Sequence, residues 1–216
     1  MSYQAALTAG ALFVTVACSA LGVPNTLHRP AWQPKGGAFS IWGVIYVSLA
    51  ITSWLLRDAP RTDYTFAGLL SASLLCCAAW IVAIRYASIP LATFLICIAS
   101  VFATCAVATM HIQSDQWREW VLGIGPGLLA GWLGLASALG VNLLYYERTG
   151  RDLEPWTLLL GALPAACVSI VARTPSTGAC IVWGAAWLPV AAGWVQVVAV
   201  LAGLAIAAGS VVAARL

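Results

Sequence analysis

Long apolar stretches separated by short polar ones run along the whole sequence. The stretches free of Asp, Glu, Lys and Arg are 1–28, 36–56, 64–84, 86–114, 120–146, 155–172 and 174–214. A helix rises about 1.5 Å per residue and the hydrocarbon core of a bilayer is about 30 Å thick, so one crossing takes roughly 20 apolar residues. The pattern therefore predicts a series of membrane-spanning helices.

The last stretch, 174–214, is too long for one crossing, because a single helix of that length would extend about 60 Å. We break it near 189–193, where proline and glycine interrupt a helix. The predicted spans are 4–23, 38–56, 64–85, 89–110, 122–145, 155–172, 176–190 and 193–214. Eight crossings result, or seven if 176–190, which is short and has Pro189 near its end, is re-entrant or packs as a half-helix.

The apolar stretches are continuous and do not alternate, which favours helices over a membrane β-barrel. Composition agrees, since 62% of the 216 residues are hydrophobic, 8% are charged and the mean hydropathy is +0.94. The predicted fold class is an all-α, polytopic transmembrane bundle, and the predicted location is an integral, multi-pass position in a membrane. Bacterial inner, mitochondrial and plastid membranes all stay open.

Charge and reactive residues exclude several functions. A dispersed net charge of +3 argues against nucleic acid as a partner. The seven cysteines show no CxxC spacing, and neither His28 nor His111 belongs to a metal-ligand pattern, so we predict no catalytic or metal site and no enzyme. Pro126 and Pro164 within spans are typical of broken transporter helices, but the span interiors lack the buried charge that coupled transport normally uses.

The eleven tryptophans fall into two groups. One group lies at span ends, where indoles prefer the headgroup level: Trp54, Trp117, Trp120 and Trp156. The other lies inside spans, where an indole N–H needs a partner on a neighbouring helix or on a ligand: Trp80, Trp132, Trp183 and Trp187. The second group is the more informative about function.

Two patterns concern helix faces. Phe39, Trp42 and Tyr46 recur at i, i+3 and i+7 and share one face, an arrangement that on periodicity alone favours packing over ligand binding. Gly123, Gly127 and Gly131 form two consecutive GxxxG steps, which predict a close approach of the fifth helix to a neighbour with Trp132 beside the contact. Tight packing without a cavity explains these glycines equally well.

Several segments resemble the TspO/MBR family, the tryptophan-rich sensory and translocator proteins, in its longer branch. They are Arg29-Pro30-Ala31-Trp32-Gln33-Pro34, Phe39-Ser40-Ile41-Trp42-Gly43-Val44-Ile45-Tyr46, Trp80 in the third span, and Gly131-Trp132-Leu133-Gly134-Leu135-Ala136-Ser137. Differences are also present. Lys35 replaces a second proline, Cys77 replaces a third-span asparagine, and Gly140 stands where the fifth-span asparagine is expected, with Asn142 two residues later.

The resemblance implies a five-helix core at 1–150, with additional C-terminal helices at 151–216 forming two or three spans. It also implies that the first connector, 24–37, closes over a cavity for a flat apolar ligand such as a tetrapyrrole, a porphyrin, haem or chlorophyll, or a sterol or other lipid. The residues implied to line the site are Trp32, Phe39, Trp42, Tyr46, Trp80 and Trp132. In short members, the polar groups missing here help to line that cavity.

Two functions remain in view. The first is a TspO-like receptor or carrier for a tetrapyrrole, sterol or similar ligand, surrounded by membrane lipids and acting alone or as a homodimer. The alternative is a structural accessory subunit of a photosynthetic or respiratory membrane complex, because apolar helix faces and short loops suit permanent packing. A homodimer or a solitary chain after mild purification would contradict the second reading.

Overall fold

The computed structural model of the protein describes residues 2–20, 36–58, 64–86, 88–110, 117–187 and 193–215. Within these ranges the chain forms eight α-helices and no strand. The helices are α1 (Tyr3–Ser19), α2 (Ile41–Leu55), α3 (Tyr64–Arg85), α4 (Ile89–Ala108), α5 (Trp117–Thr149), α6 (Thr157–Val171), α7 (Ser176–Ala186) and α8 (Trp194–Arg215). Each helix lies at a predicted span, which confirms the all-α fold class.

Five helical segments are long and apolar enough to cross a membrane. They are Gly37–Leu55, Tyr64–Arg85, Ile89–Ala108, Trp120–Thr149 and Trp194–Ala213. The protein is therefore an integral, multi-pass membrane protein. The helix α7 has 11 residues and extends about 16 Å, roughly half the hydrocarbon thickness, which matches the half-helix alternative for this segment.

A 3-10 turn lies at each end of α2, and Ser2 links the second of these turns to α1. The segment Gly36–Ser40, called the entry turn below, leads into the helix as a 3-10 turn. A second 3-10 turn, Leu56–Asp58, follows the helix. Ser2 caps α1 by accepting a hydrogen bond from the Ala5 N–H at 3.3 Å, and its hydroxyl donates to the Leu56 carbonyl at 2.8 Å. These bonds tie the start of α1 to the end of α2.

The first five helices close into a ring. In this five-helix ring, α1 packs against α2 and α3, α3 packs against α4, α4 packs against α5, and α5 returns to α2. Hydroxyls link the members: Thr15 of α1 donates to the Leu74 carbonyl at 2.8 Å, and Ser73 of α3 donates to the Ala99 carbonyl at 2.8 Å. Because a span interior lacks water, such bonds to a neighbouring carbonyl satisfy hydroxyls that burial would otherwise leave unpaired.

The three C-terminal helices, α6 to α8, pack on the outside of this ring, with α6 and α7 against α5 and α8 against α6 and α7. Glycines make the contacts close. A Cβ on Gly131 would lie 3.0 Å from the Thr177 carbonyl oxygen, and one on Gly134 would lie 2.7 Å from the Gly161 carbonyl oxygen. The predicted close approach at the GxxxG steps is confirmed, and the neighbour is α7. The division of the chain at residue 150 stays a prediction.

Candidate functional site

Four aromatic side chains meet where α2 faces α5. Phe39 lies in the entry turn, Trp42 and Tyr46 lie on α2, and Trp132 lies on α5; these four are called the aromatic cluster below. The Trp42 and Tyr46 rings, one helical turn apart, are 5.4 Å from centroid to centroid and tilted by 32°. Their shared face confirms the spacing argument for α2, although Phe39 belongs to the preceding 3-10 turn.

Trp132 connects the two helices of the aromatic cluster. Its ring meets Phe39 edge-on at 5.5 Å and 89°, and Trp42 edge-on at 6.4 Å and 85°. Edge-to-face contacts of this kind are favourable between aromatic quadrupoles. The Trp132 side chain is 2% exposed, and its indole Nε1 has no hydrogen-bond partner among the described residues. Among the described residues, the cluster therefore contains one buried donor without a partner.

A hydrogen bond fixes Tyr46 at the other edge of the aromatic cluster. The Tyr46 hydroxyl and the Ser19 hydroxyl, at the end of α1, are 2.6 Å apart. The Ser19 hydroxyl donates to the Thr15 carbonyl at 2.9 Å, so the Tyr46 hydroxyl is the donor to Ser19, and the pair can still accept a hydrogen bond from a bound group. The contact joins α1 to the face of α2 that carries Trp42.

The other two predicted site residues are not in this group. The described ring contacts do not include Trp80, which is half-buried and packs against the main core and against a small cluster of Ala83, Ile84 and Ala92 between α3 and α4. Trp32 lies outside the described residues, as does most of the first connector, so the predicted lid over a cavity stays a prediction. His28 and His111 also lie outside them.

Trp183 of α7 and Trp187, which directly follows α7, contact the entry turn, and the prediction of the site did not include them. The Trp183 indole N–H donates to the Ala38 carbonyl at 3.0 Å, across 145 positions in sequence. The Trp187 ring lies against Gly37, where a Cβ would come within 2.5 Å of it. The two indoles are 5.9 Å apart. An indole inside a span needs a hydrogen-bond partner, and this need could have pointed to Trp183 and Trp187. The sequence does not identify that partner.

The polar positions that differ from the short family members have other roles here. Asn142 is fully buried, donates to the Asp152 carboxylate at 2.9 Å and accepts from the Leu153 N–H at 2.6 Å. It therefore fastens the end of α5 to the start of the α5–α6 connection. Gly140 lies against Ile96 and Thr93, and the Thr93 hydroxyl donates to its carbonyl at 3.0 Å. Both positions thus take part in contacts that hold α5 to its neighbours.

The chemistry available in the described part of the site is hydrogen bonding and aromatic contact. In the described ranges, no group of three or more His, Cys, Asp or Glu residues is arranged to hold a metal ion. All seven cysteines are free thiols, with Cys77 and Cys180 fully buried and Cys105 and Cys167 exposed at helix surfaces. Cys77 and Cys180 pack in the main core.

Comparison with protein-family models gives one match, to the TSPO-like protein family over residues 23–214. The chain belongs to the TSPO-like protein family. The match covers the five-helix ring from α2 onward and continues through all three C-terminal helices, so the family assignment does not stop at the predicted boundary at residue 150. Neither the curated proteins nor the solved structures include a match to this TSPO-like chain.

Proposed function

We propose that this TSPO-like membrane protein is a receptor or carrier that binds a flat, largely apolar ligand, of tetrapyrrole or sterol type, at the aromatic cluster. The observation that carries the proposal is the Trp132 indole, which is buried, unpaired among the described residues and edge-on to Phe39 and Trp42. An unpaired buried donor lowers stability unless something pairs with it. A ligand oxygen or nitrogen would do so.

Ring geometry supports a flat ligand. Because Trp132 stands perpendicular to Phe39 and Trp42, the ring faces at the cluster are not all covered by one another. A planar molecule can stack on a free face while a polar atom at its edge reaches the Trp132 N–H. The Ser19–Tyr46 hydroxyl pair offers a second polar contact at the far edge. No covalent step is part of this proposal.

The test is a titration of the detergent-solubilised protein with protoporphyrin IX, followed by tryptophan fluorescence. We expect quenching at micromolar ligand, and a loss of affinity of about tenfold in Trp132→Phe, because one hydrogen bond is lost while most of the ring volume stays. Trp194→Phe is the matched control, since Trp194 is 63% exposed on α8. Fluorescence that stays unquenched at micromolar protoporphyrin and cholesterol would contradict the proposal.

Trp42 separates recognition from packing in the same assay. Trp42→Ala removes a large ring from the α2–α5 contact and is expected to lower stability whether or not a ligand binds. Trp42→Phe keeps most of the volume. Weaker binding in Trp42→Phe with an unchanged melting temperature supports a ligand role for this face, whereas parental binding in Trp42→Phe assigns the face to packing alone.

The second candidate is an accessory subunit of a larger membrane complex. Cys77 and Gly140 stand where short family members have polar groups that line the cavity. Cys77 is fully buried and Gly140 packs against Ile96 and Thr93, which favours packing over ligand binding at these positions. Purification in a mild detergent decides between the candidates. A large co-purifying complex supports the subunit role, and a chain that runs alone or as a homodimer rejects it.

A further inference from the structure

Two polar side chains of α1 are buried without a partner, at a place the aromatic cluster does not reach. Gln4 is 3% exposed and Thr8 is 0% exposed. Gln4 Nε2 and Thr8 Oγ1 have no hydrogen-bond partner in the described part of the chain, where Trp132 Nε1 is the one other such buried side-chain atom. The two residues are four positions apart, so their side chains are neighbours on one helix face.

That face looks toward the five-helix ring. It is the buried face of α1, and farther along it Thr15 donates to the Leu74 carbonyl of α3. At the start of the helix, Ser2 donates to the Leu56 carbonyl just after α2. Because α1 packs against α3, α2 and the turn after α2, the pair faces these elements. Ser19, which marks the edge of the aromatic cluster, follows Thr8 by 11 positions, about 16 Å along the helix.

The Thr8 hydroxyl does not make the local bond that is open to it. A hydroxyl in a helix can donate to the carbonyl four positions earlier. Two buried hydroxyls of the ring do so, Ser53 to Leu49 at 2.8 Å and Ser71 to Ala67 at 2.7 Å. Thr8, equally buried, is unpaired instead, beside an amide that is unpaired as well. Two adjacent groups that both leave their bonds unmade indicate a shared third partner.

The available chemistry defines that partner. The Gln4 amide nitrogen donates and the Thr8 hydroxyl both donates and accepts, so the fitting atom is an oxygen that can accept at least one bond. The helix α1 contains no charged residue, and an unpaired charge in a span interior is costly, so the partner is uncharged. Both conditions describe a water molecule or the hydroxyl group of a lipid or sterol.

We propose that Gln4 and Thr8 form a second binding site inside the five-helix ring, for an uncharged hydroxyl-type oxygen. The site is separate from the aromatic cluster and does not depend on the function proposed for that cluster. Its occupant completes the hydrogen bonding of the two side chains and contributes to the stability of the ring.

The direction of a stability change tests the proposal. Gln4→Met and Thr8→Val keep approximate size and remove the polar group. If an occupant is bound, each variant loses its bond and melts about 2 to 4 °C lower. The double variant should lose less than the sum, because both side chains share one partner. Thr15→Val, whose hydroxyl is paired in the structure, is the control that must also melt lower, and Thr8→Ser should recover the loss in Thr8→Val.

An unchanged or higher melting temperature in Gln4→Met and Thr8→Val would overturn the proposal, because replacing a truly unpaired buried group by hydrocarbon is neutral or stabilising. Two bilayers then distinguish the sources of the oxygen. A loss seen equally in phosphatidylcholine and in phosphatidylcholine with cholesterol assigns the site to water, and a loss seen only with cholesterol assigns it to the sterol hydroxyl. Protoporphyrin binding in Gln4→Met should equal that of the parent, so failure at one site does not affect the test of the other.

Discussion

Buried polar side chains are paired in the C-terminal helices and partly unpaired in the five-helix ring. From α6 to α8 the buried hydroxyls donate to backbone carbonyls at 2.9 to 3.4 Å: Ser169, Thr174, Ser176, Thr177 and Ser210. The three unpaired buried atoms found among the described residues belong to Gln4, Thr8 and Trp132, all in the ring. Membrane helices pair their polar groups when packing is their role, so the ring is the region in which we propose ligand binding.

Paired polar groups also form the contact between the C-terminal helices and the five-helix ring. Ser176 and Thr177 donate to the Gly123 and Gly127 carbonyls of α5, each at 3.1 Å, and Gly131 admits α7 at close range. The neighbouring residue Trp132 contacts Trp42 of α2, and its N–H is unpaired among the described residues. One helix thus carries carbonyls that are paired with α7 and, in the described part of the chain, an unpaired donor in the aromatic cluster.

The largest expected effect tests the packing of the ring. Trp132→Ala should lower the free energy of unfolding by about 3 to 5 kcal/mol, because it opens a cavity in a close-packed interior. Trp132→Phe should change it far less, since the lost N–H has no partner to leave behind. Unfolding in mixed micelles followed by circular dichroism measures both. Trp194→Ala, at an exposed position, is the control and should change little.

Gly134→Ala should come next. Its Cβ would meet backbone atoms of α6, the Gly161 carbonyl oxygen at 2.7 Å and the Ala162 Cα at 3.0 Å, so the helices must separate at a cost of about 1 to 3 kcal/mol. Gly68→Ala on α3 meets nothing within 4 Å and should be neutral or slightly stabilising. Equal effects in the two variants would mean that α6 is not held closely against α5.

Trp183→Phe should cost about 1 kcal/mol, the value of the bond to the Ala38 carbonyl. The comparison with Trp132→Phe is direct, because one indole is paired and the other is not. Hydrogen–deuterium exchange of the entry turn should also become faster in Trp183→Phe. If Trp132→Phe is as costly as Trp183→Phe, Trp132 has a partner and the contrast between the two regions does not hold.

The smallest effect on stability is expected at the contact between α5 and α7. Thr177→Val removes a hydroxyl that donates to the Gly127 carbonyl and should cost about 0.6 kcal/mol, the typical value for an interhelical bond in a membrane protein. Thr65→Val, on an exposed part of α3, is the matched control. A gain in stability in Thr177→Val would show that the C-terminal helices do not depend on their paired hydroxyls.

Apolar run lengths predicted six of the eight helices, because crossing a bilayer sets helix length almost independently of neighbours. The break between α7 and α8 was predicted from the proline and glycine near 189–193. The shared face of Trp42 and Tyr46 and the close approach at Gly127 and Gly131 were predicted from spacing alone. The helix that packs against these glycines was not predicted. Which helix meets these glycines depends on how all eight pack, and α7 lies far along the chain.

The candidate site was predicted in part for the same reason. Phe39, Trp42, Tyr46 and Trp132 meet, whereas Trp80 packs between α3 and α4. Motif matching places a residue on a helix, but its side-chain surroundings depend on helix rotation. The contact between Trp183 and Ala38 could not be predicted, because one partner is a backbone carbonyl that carries no sequence signal.

The bond from Trp183 to the entry turn also has a consequence for the order in which the protein is made. Its two partners are 145 positions apart. At about 5 to 20 residues per second, the ribosome reaches Trp183 roughly 7 to 30 s after Ala38. During that interval α2 to α5 can already be in the membrane, yet the turn that carries Phe39 still lacks the indole that holds it. Synthesis of the last third of the chain therefore completes a turn that was made near its beginning.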